Sequence, residues 1–173
     1  MLSRRELLLT APALLRVAPP ARPPVVDTHV HCFAGRASKR FGYHKDAPYR
    51  PDAAATPESL LKAMDGAGVD HAVIVHPEPY QDDHRYLEHC LKVGGKRLKG
   101  TCLFFADRQD AVKKLRALAK KVSLVALRIH AYAPERQPPF GTPELKALWR
   151  AVDLGRWATP GPRRWLVTRR WRA

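Results

Sequence analysis

The chain has few cysteines and no long apolar run. Its 173 residues include 3 cysteines, an odd number at spacings that match no zinc motif, so we expect no disulfide framework. Cys90 and Cys102 fall in apolar patterns, whereas Cys32 directly follows a histidine and is placed to line a site. No stretch approaches the roughly 20 apolar residues of a transmembrane helix, so we expect no membrane partner.

Acidic residues are also scarce. Against 31 Lys and Arg the chain has 16 Asp and Glu, which gives a net charge of +15. The excess is concentrated at the two ends, because residues 1–24 carry +3 and residues 156–173 carry +6. The middle of the chain has no basic helix with interleaved aromatic residues, so we expect no nucleic-acid partner.

The two ends differ in composition from the middle. Residues 1–24 resemble a twin-arginine export leader, with Arg4-Arg5 before a moderately apolar run, and they predict an exported, periplasmic protein. A cytoplasmic protein with a chance Arg-Arg pair is the alternative. Residues 156–173 contain 6 arginines, 3 of the 4 tryptophans and no acid. We interpret this tail as the product of a frameshift. The alternative is an exported basic protein that binds anionic polymers through its tail.

Strand and helix patterns alternate through residues 25–155. Strands are predicted near 25–31, 71–76, 101–105 and 124–130, and helices begin at Thr56-Pro57-Glu58, at 82, at 111 and at Thr142-Pro143-Glu144. Apolar strands between helices indicate a parallel sheet, and no Gly-x-Gly-x-x-Gly follows the first strand to favour a dinucleotide-binding sheet. We therefore expect an α/β fold of (β/α)₈ TIM-barrel type, truncated to about four βα units, with an open doubly wound sheet as the alternative.

The first strand ends in Asp27-Thr28-His29-Val30-His31. Side chains alternate along a strand, so His29 and His31 project to one face about 7 Å apart and can converge on one divalent metal ion. Asp27 shares that face, and we expect it to support the ligands rather than bind the metal. A strand with two satisfied histidines is the alternative reading of this pattern.

Four further residues are candidates for contact with a substrate. Arg128, at the end of the fourth strand, is suited to bind a carboxylate, and a salt bridge to a loop acid is the alternative. His130 lies on the same face of that strand. His76 ends the second strand, where a surface histidine is the alternative, and Tyr80 is a candidate lid residue. The polar residues around Tyr80 predict a helix N-terminus, where the helix dipole favours acidic side chains: Glu78, Asp82, Asp83 and His84.

Several segments of the middle region resemble one known family. They are Val26–His31 on the first strand, Tyr49–Asp52 before the first helix, Ala67–Val75 leading into the second strand, and Ala126–Ile129 on the fourth. Together they resemble the amidohydrolase superfamily, in the branch of amidohydrolase-related metal-dependent hydrolases, decarboxylases and dicarboxylate lactonases. The resemblance covers roughly residues 25–155.

The resemblance implies a (β/α)₈ barrel in which His29 and His31 are the first pair of metal ligands, for zinc or manganese. It implies a carboxylate-bearing small-molecule substrate whose C–N or C–O carbonyl bond is attacked by metal-activated water. The remaining ligands and the general base of the family lie on later strands, beyond Gly155, so no catalytic residue is assignable here. Some relatives are thought to work without a tightly held metal.

Three alternatives to a hydrolase stay open at this point. The first is an in-family decarboxylase. The second is a catalytically inactive half-barrel, which would expose two strand edges and favour self-association. The third is the basic-tailed exported protein described above.

Overall fold

The computed structural model describes residues 22–128 and 142–154, in which four strands alternate with four α-helices. The strands pair in one parallel sheet, in the order of the chain. They are β1 (Val26–Val30), β2 (His71–Ile74), β3 (Leu98–Leu103) and β4 (Leu124–Arg128). Sequential parallel order is that of a (β/α) barrel, whereas a doubly wound sheet reverses its strand order. The predicted truncated barrel is therefore confirmed.

The helices follow their strands as predicted. They are α1 (Pro57–Ala67), α2 (Arg85–Gly94), α3 (Ala111–Lys121) and α4 (Pro143–Leu154). Helix α1 begins where the Thr56 hydroxyl accepts a hydrogen bond from the Ser59 amide at 3.2 Å, and it ends at Gly68, whose φ of 67° is left-handed. Within the described ranges, no helix combines the length and apolar character needed to cross a membrane.

The segment before α2 differs from the prediction. A short 3₁₀ helix occupies Glu78–Tyr80, and α2 begins at Arg85 rather than at residue 82. Glu78 and His84 are buried, at 5% and 6% exposure, and Glu78 belongs to the 3₁₀ helix rather than to the N-terminus of α2. The chain folds back after Pro77, where the Gln81 amide donates to the Glu78 carbonyl at 2.8 Å, and the His84 ring accepts a hydrogen bond from the Leu103 amide of β3 at 3.1 Å.

The core lies between the sheet and the helices. The buried residues of α2 include Tyr86, Leu87, Cys90 and Leu91, and those of α3 include Leu115 and Leu118. Trp149 of α4 is 48% exposed, although it is a large apolar residue. Leu145 and Leu148 form the buried face of that helix instead.

Strand β1 lies at one edge of the sheet and is exposed along most of its length. Val25 and Val26 are 48% and 46% exposed, and β2 is its one neighbour among the described strands. In a closed barrel each strand has two neighbours and the helices cover its outer face. Strand β1 is therefore exposed because it has one neighbouring strand within the described sheet.

Candidate functional site

The candidate site lies where the strands end. All four strands are parallel, so their carboxyl ends meet at one edge of the sheet, which is the edge where barrel enzymes place their chemistry. His29 and His31 mark the end of β1, and Arg128 is the last residue of β4. The sheet therefore brings together residues that are about 100 positions apart in the chain.

The two histidines of the D-x-H-x-H motif are adjacent. The centres of the His29 and His31 rings are 5.0 Å apart, with their planes at 90°. This is closer than the spacing of an ideal strand, and the register between β1 and β2 shifts between Asp27 and Val30. Such bulges commonly re-aim side chains next to a site. The carboxylate of Asp27 accepts a hydrogen bond from the His29 amide at 3.0 Å and so supports the backbone of the motif.

Burial and nearby charge favour the neutral form of His31. Its Nδ1–H donates to the carbonyl oxygen of Val75 at 2.7 Å, which leaves the lone pair on Nε2. Burial lowers the pKa of His31, and the nearby charges of His29 and Arg128 lower it further, although the bond to Val75 opposes them. A neutral imidazole with its second nitrogen fixed by a carbonyl is the usual state of a metal-ligating histidine.

These two histidines fit part of a metal site. Catalytic zinc sites take three protein ligands, and among the described residues no group of three or more His, Cys, Asp or Glu side chains is placed to hold a metal ion. The pair therefore fits two ligand positions, and a third ligand would come from outside these ranges. Cys32 does not supply it, because its thiol is 1% exposed and hydrogen-bonds with Cys90 in the core.

Arg128 reaches from β4 towards the end of β2. One guanidinium nitrogen donates to the carbonyl oxygen of His76 at 3.0 Å. His31 bonds the carbonyl of the preceding residue, Val75, so His31 and Arg128 contact adjacent peptide groups at the end of β2. The charge of Arg128 also lowers the pKa values of His31 and of Tyr49. This places a cation beside the histidine pair, where it can meet an anionic group of a ligand.

The predicted contacts His76 and Tyr80 are buried. His76 is 0% exposed, its Nε2–H donates to the Gln81 carbonyl at 2.8 Å, and Tyr80 is 2% exposed with its hydroxyl accepting from the Ala34 amide. The alternative prediction for His76, a surface histidine, is therefore wrong. Their substrate roles stay predictions, but both side chains now hold the turn after β2 against the loop after β1. His130 lies outside the described residues.

The turn after β2 is conformationally special. Gln81 has φ 52° and ψ −123°, the one positive φ of a non-glycine residue in the described chain. Residues held in such conformations cost free energy and concentrate at functional sites. The turn is fixed by the His76–Gln81 bond and by the Gln81 side-chain amide, which donates to the Glu78 carbonyl at 3.0 Å.

Two residues near the site, Tyr49 and Glu78, were not predicted from the sequence to contact a ligand. Tyr49 lies in the long loop after β1, and its ring is 6.4 Å from that of Phe33, which in turn is 6.0 Å from His31. Burial raises the pKa of Tyr49, the charge of Arg128 lowers it and the carboxylate of Glu78 raises it. The charges of Glu78 and Arg128 therefore both act on Tyr49, with opposite sign. The length of the loop that carries Tyr49 was the available sequence signal.

Comparison with known proteins agrees with this geometry. The amidohydrolase family model matches residues 26–159. The chain belongs to the amidohydrolase family. No curated protein is similar enough to match the chain.

The fold is shared by a solved structure. A probable 2-pyrone-4,6-dicarboxylic acid hydrolase from Acinetobacter baumannii, with citric acid bound, is 23% identical, with a TM-score of 0.64 over 76% of this chain. The chain spans 46% of that structure's length. A Pseudomonas putida protein provisionally assigned to the same activity is 26% identical, with a TM-score of 0.43 over 60% of this chain and 36% of its own. An Agrobacterium tumefaciens protein is 24% identical, with a TM-score of 0.49 over 64% of this chain and 39% of its own.

Proposed function

We propose that this chain forms half of the active site of a hydrolase that opens a carbonyl–oxygen bond of a carboxylate-bearing small molecule, such as a lactone. The observation that carries the proposal is the grouping of His29, His31 and Arg128 at the carboxyl ends of β1 and β4. The name of the Acinetobacter relative, a probable hydrolase of a dicarboxylic lactone, supports this reaction class.

Each residue of the group has a separate task. Arg128 binds and orients a substrate carboxylate, because a guanidinium offers parallel donors that match the two carboxylate oxygens. His29 and His31 would hold a divalent metal, zinc or manganese, which when bound supplies a Lewis acid to polarise the carbonyl. The bond between His31 and Val75 fixes the ring so that Nε2 faces the ligand side.

The other half of the site and the general base belong to the strands that follow in family members. The same arrangement of Arg128 and two histidines would also suit decarboxylation of a carboxylated metabolite, which remains the in-family alternative. Export through a leader in residues 1–24 is a further proposal, and so is the origin of residues 156–173. Of these two segments the structure describes residues 22–24.

We also propose that the chain self-associates through its open strand edges. Val25 and Val26 expose apolar side chains along β1, whose backbone has one paired edge within the described sheet. Exposed apolar edge strands are sites of pairing between molecules.

The test is an assay of ring opening with carboxylated and uncarboxylated lactones, in the presence of zinc or manganese. Replacing Arg128 by Gln should raise KM for carboxylated lactones roughly 10- to 100-fold more than for uncarboxylated ones, because uncarboxylated lactones have no carboxylate for the guanidinium to bind. The matched control is Arg116→Gln, which removes the same charge from the exposed face of α3.

Two results would count against the proposal. Equal effects of Arg128→Gln and Arg116→Gln on KM would contradict the proposed role of Arg128 in substrate binding. No ring opening by the full chain with any lactone, under conditions where it is folded, would favour the inactive half-barrel.

A further inference from the structure

We propose that the chain has a second binding site, a basic pocket that takes the phosphate group of a small molecule. The pocket lies between the loop after β1 and the start of α2, and its volume is about 400 Å³. The residues that line it are Lys39, Arg40, Gly42, Tyr43, His44, Lys45, Asp83 and Arg85. His29, His31 and Arg128 are not among them, so the proposal does not depend on the hydrolase function.

The pocket carries an excess of positive charge. Its lining contains four Lys or Arg side chains and one acid, Asp83. The two carboxylate oxygens of Asp83 accept hydrogen bonds from the Arg85 guanidinium at 3.0 and 2.7 Å, so these two residues neutralise each other. The ion pairs within the described chain include none of Lys39, Arg40 and Lys45. Three positive charges therefore line the pocket and are available to an anionic ligand.

The start of α2 adds a further attraction for an anion. Arg85 is the first residue of this helix of 10 residues, so the positive end of the helix dipole lies at the pocket. The amides of the first helical turn have no partner within the helix and commonly bind phosphate. The Asp83 carboxylate takes one of them, the Arg85 amide, at 3.0 Å. The helix end and the three cations thus favour the same kind of ligand.

The backbone around the pocket is held in place by contacts on both sides. The His44 amide donates to the Pro79 carbonyl at 2.8 Å, which ties the loop to the turn after β2. The ring of Phe41 packs on Tyr86 of α2, with the ring centres 5.0 Å apart. The Arg40 guanidinium lies over the Phe41 ring, 4.9 Å from its centre. Because these segments are ordered before a ligand arrives, binding costs less conformational entropy.

The charge of the pocket favours phosphate over carboxylate. A phosphate ester carries a charge of about −1.5 to −2 at neutral pH and three acceptor oxygens, whereas a carboxylate carries a single charge and two oxygens. Three cations on one loop match the larger charge and the larger number of acceptors. The volume of the pocket also leaves room for the organic part of an ester.

The test is a titration of the full chain with inorganic phosphate, glycerol 3-phosphate and acetate in a phosphate-free buffer of low salt, followed through the backbone NMR signals. We expect both phosphates to bind saturably, to shift the signals of residues 39–45 and 83–85, and to bind roughly tenfold or more tightly than acetate. Tighter binding of glycerol 3-phosphate than of inorganic phosphate would identify an ester as the ligand. The reverse order, or equal binding, would identify the free ion.

A pair of double variants separates a site from a general effect of charge. Lys39→Gln/Lys45→Gln should weaken the binding of inorganic phosphate roughly tenfold, and it should fold as the wild type does because both side chains are exposed. The matched control is Lys113→Gln/Lys120→Gln, which removes the same charge from the exposed face of α3. The control should change the affinity less than about twofold, because exposed charges far from the pocket are screened.

Three results would overturn the proposal. Equal losses of affinity in the two double variants would mean that the overall positive charge of the chain attracts phosphate without a site. Acetate binding as tight as that of phosphate would remove the selectivity for phosphate. The absence of a saturable shift at residues 39–45 and 83–85 in the wild type would mean that the pocket binds no phosphate.

Discussion

Two buried histidines make the molecule sensitive to acid. The rings of His76 and His84 are 4.4 Å apart, and His84 packs on Phe104 and accepts a hydrogen bond from the Leu103 amide at 3.1 Å. Burial lowers the pKa of His84 to about 4 and that of His76 well below its ordinary value. Both rings are therefore neutral in the folded chain at neutral pH.

This predicts a loss of stability in acid. Because the folded pKa of His84 lies below the unfolded value of about 6.5, the unfolded state takes up protons first as the pH falls. The free energy of unfolding should decrease from about pH 6.5 to about pH 4, by roughly 3 kcal/mol for His84 alone. Urea unfolding at a series of pH values measures it.

The variant that checks the cause is His84→Gln, which keeps an acceptor for the Leu103 amide without a titrating ring. It should weaken the pH dependence, whereas His89→Gln, at a partly exposed position of α2, should not. A pH dependence that is the same in His84→Gln as in the wild type would rule out His84 as the source.

At the scale of elements, two helical glycines should respond in opposite ways to the same substitution. Gly66 lies exposed in α1 with open space around its position, whereas a methyl group on Gly94 of α2 would lie far inside van der Waals contact with the Leu98 side chain. Alanine is the better helix former, so Gly66→Ala should stabilise the chain by up to about 1 kcal/mol. Gly94→Ala should destabilise it by about 1 to 3 kcal/mol.

Urea unfolding at neutral pH compares the two variants directly. If Gly94→Ala is as stable as the wild type, the close packing of α2 against the start of β3 is not as described.

The elements were largely predictable from the sequence, and the turn after β2 was not. Helix α1 follows from the Thr56-Pro57-Glu58 signal and Gly68, because capping depends on local residues. The burial of Glu78 and His84 depends on contacts with β3 and with the loop after β1, which no local pattern encodes. Tyr49 was missed as a site residue for the same reason, since its neighbours are distant in the chain.

At the scale of the whole molecule, the exposed edge of β1 predicts concentration-dependent association. Val26→Lys should shift the chain towards the monomer in sedimentation velocity experiments, because a lysine on an edge strand opposes pairing. Val93→Lys is the matched control, since Val93 is an exposed apolar residue of α2 away from that edge. A monomer at every concentration, or equal effects of the two variants, would contradict the proposal of self-association.

The proposed hydrolase function depends most on His29 and His31 acting as a pair of metal ligands. The direct measurement is a zinc titration of the full chain, followed through the NMR signals of its imidazole rings. We predict that the signals of His29 and His31 shift together and that His29→Gln weakens zinc binding roughly tenfold or more. His71→Gln is the control, because His71 lies at the amino end of β2, away from the site, and it should leave zinc binding unchanged. Zinc binding that is insensitive to His29→Gln, or that shifts other histidines instead, would contradict the account.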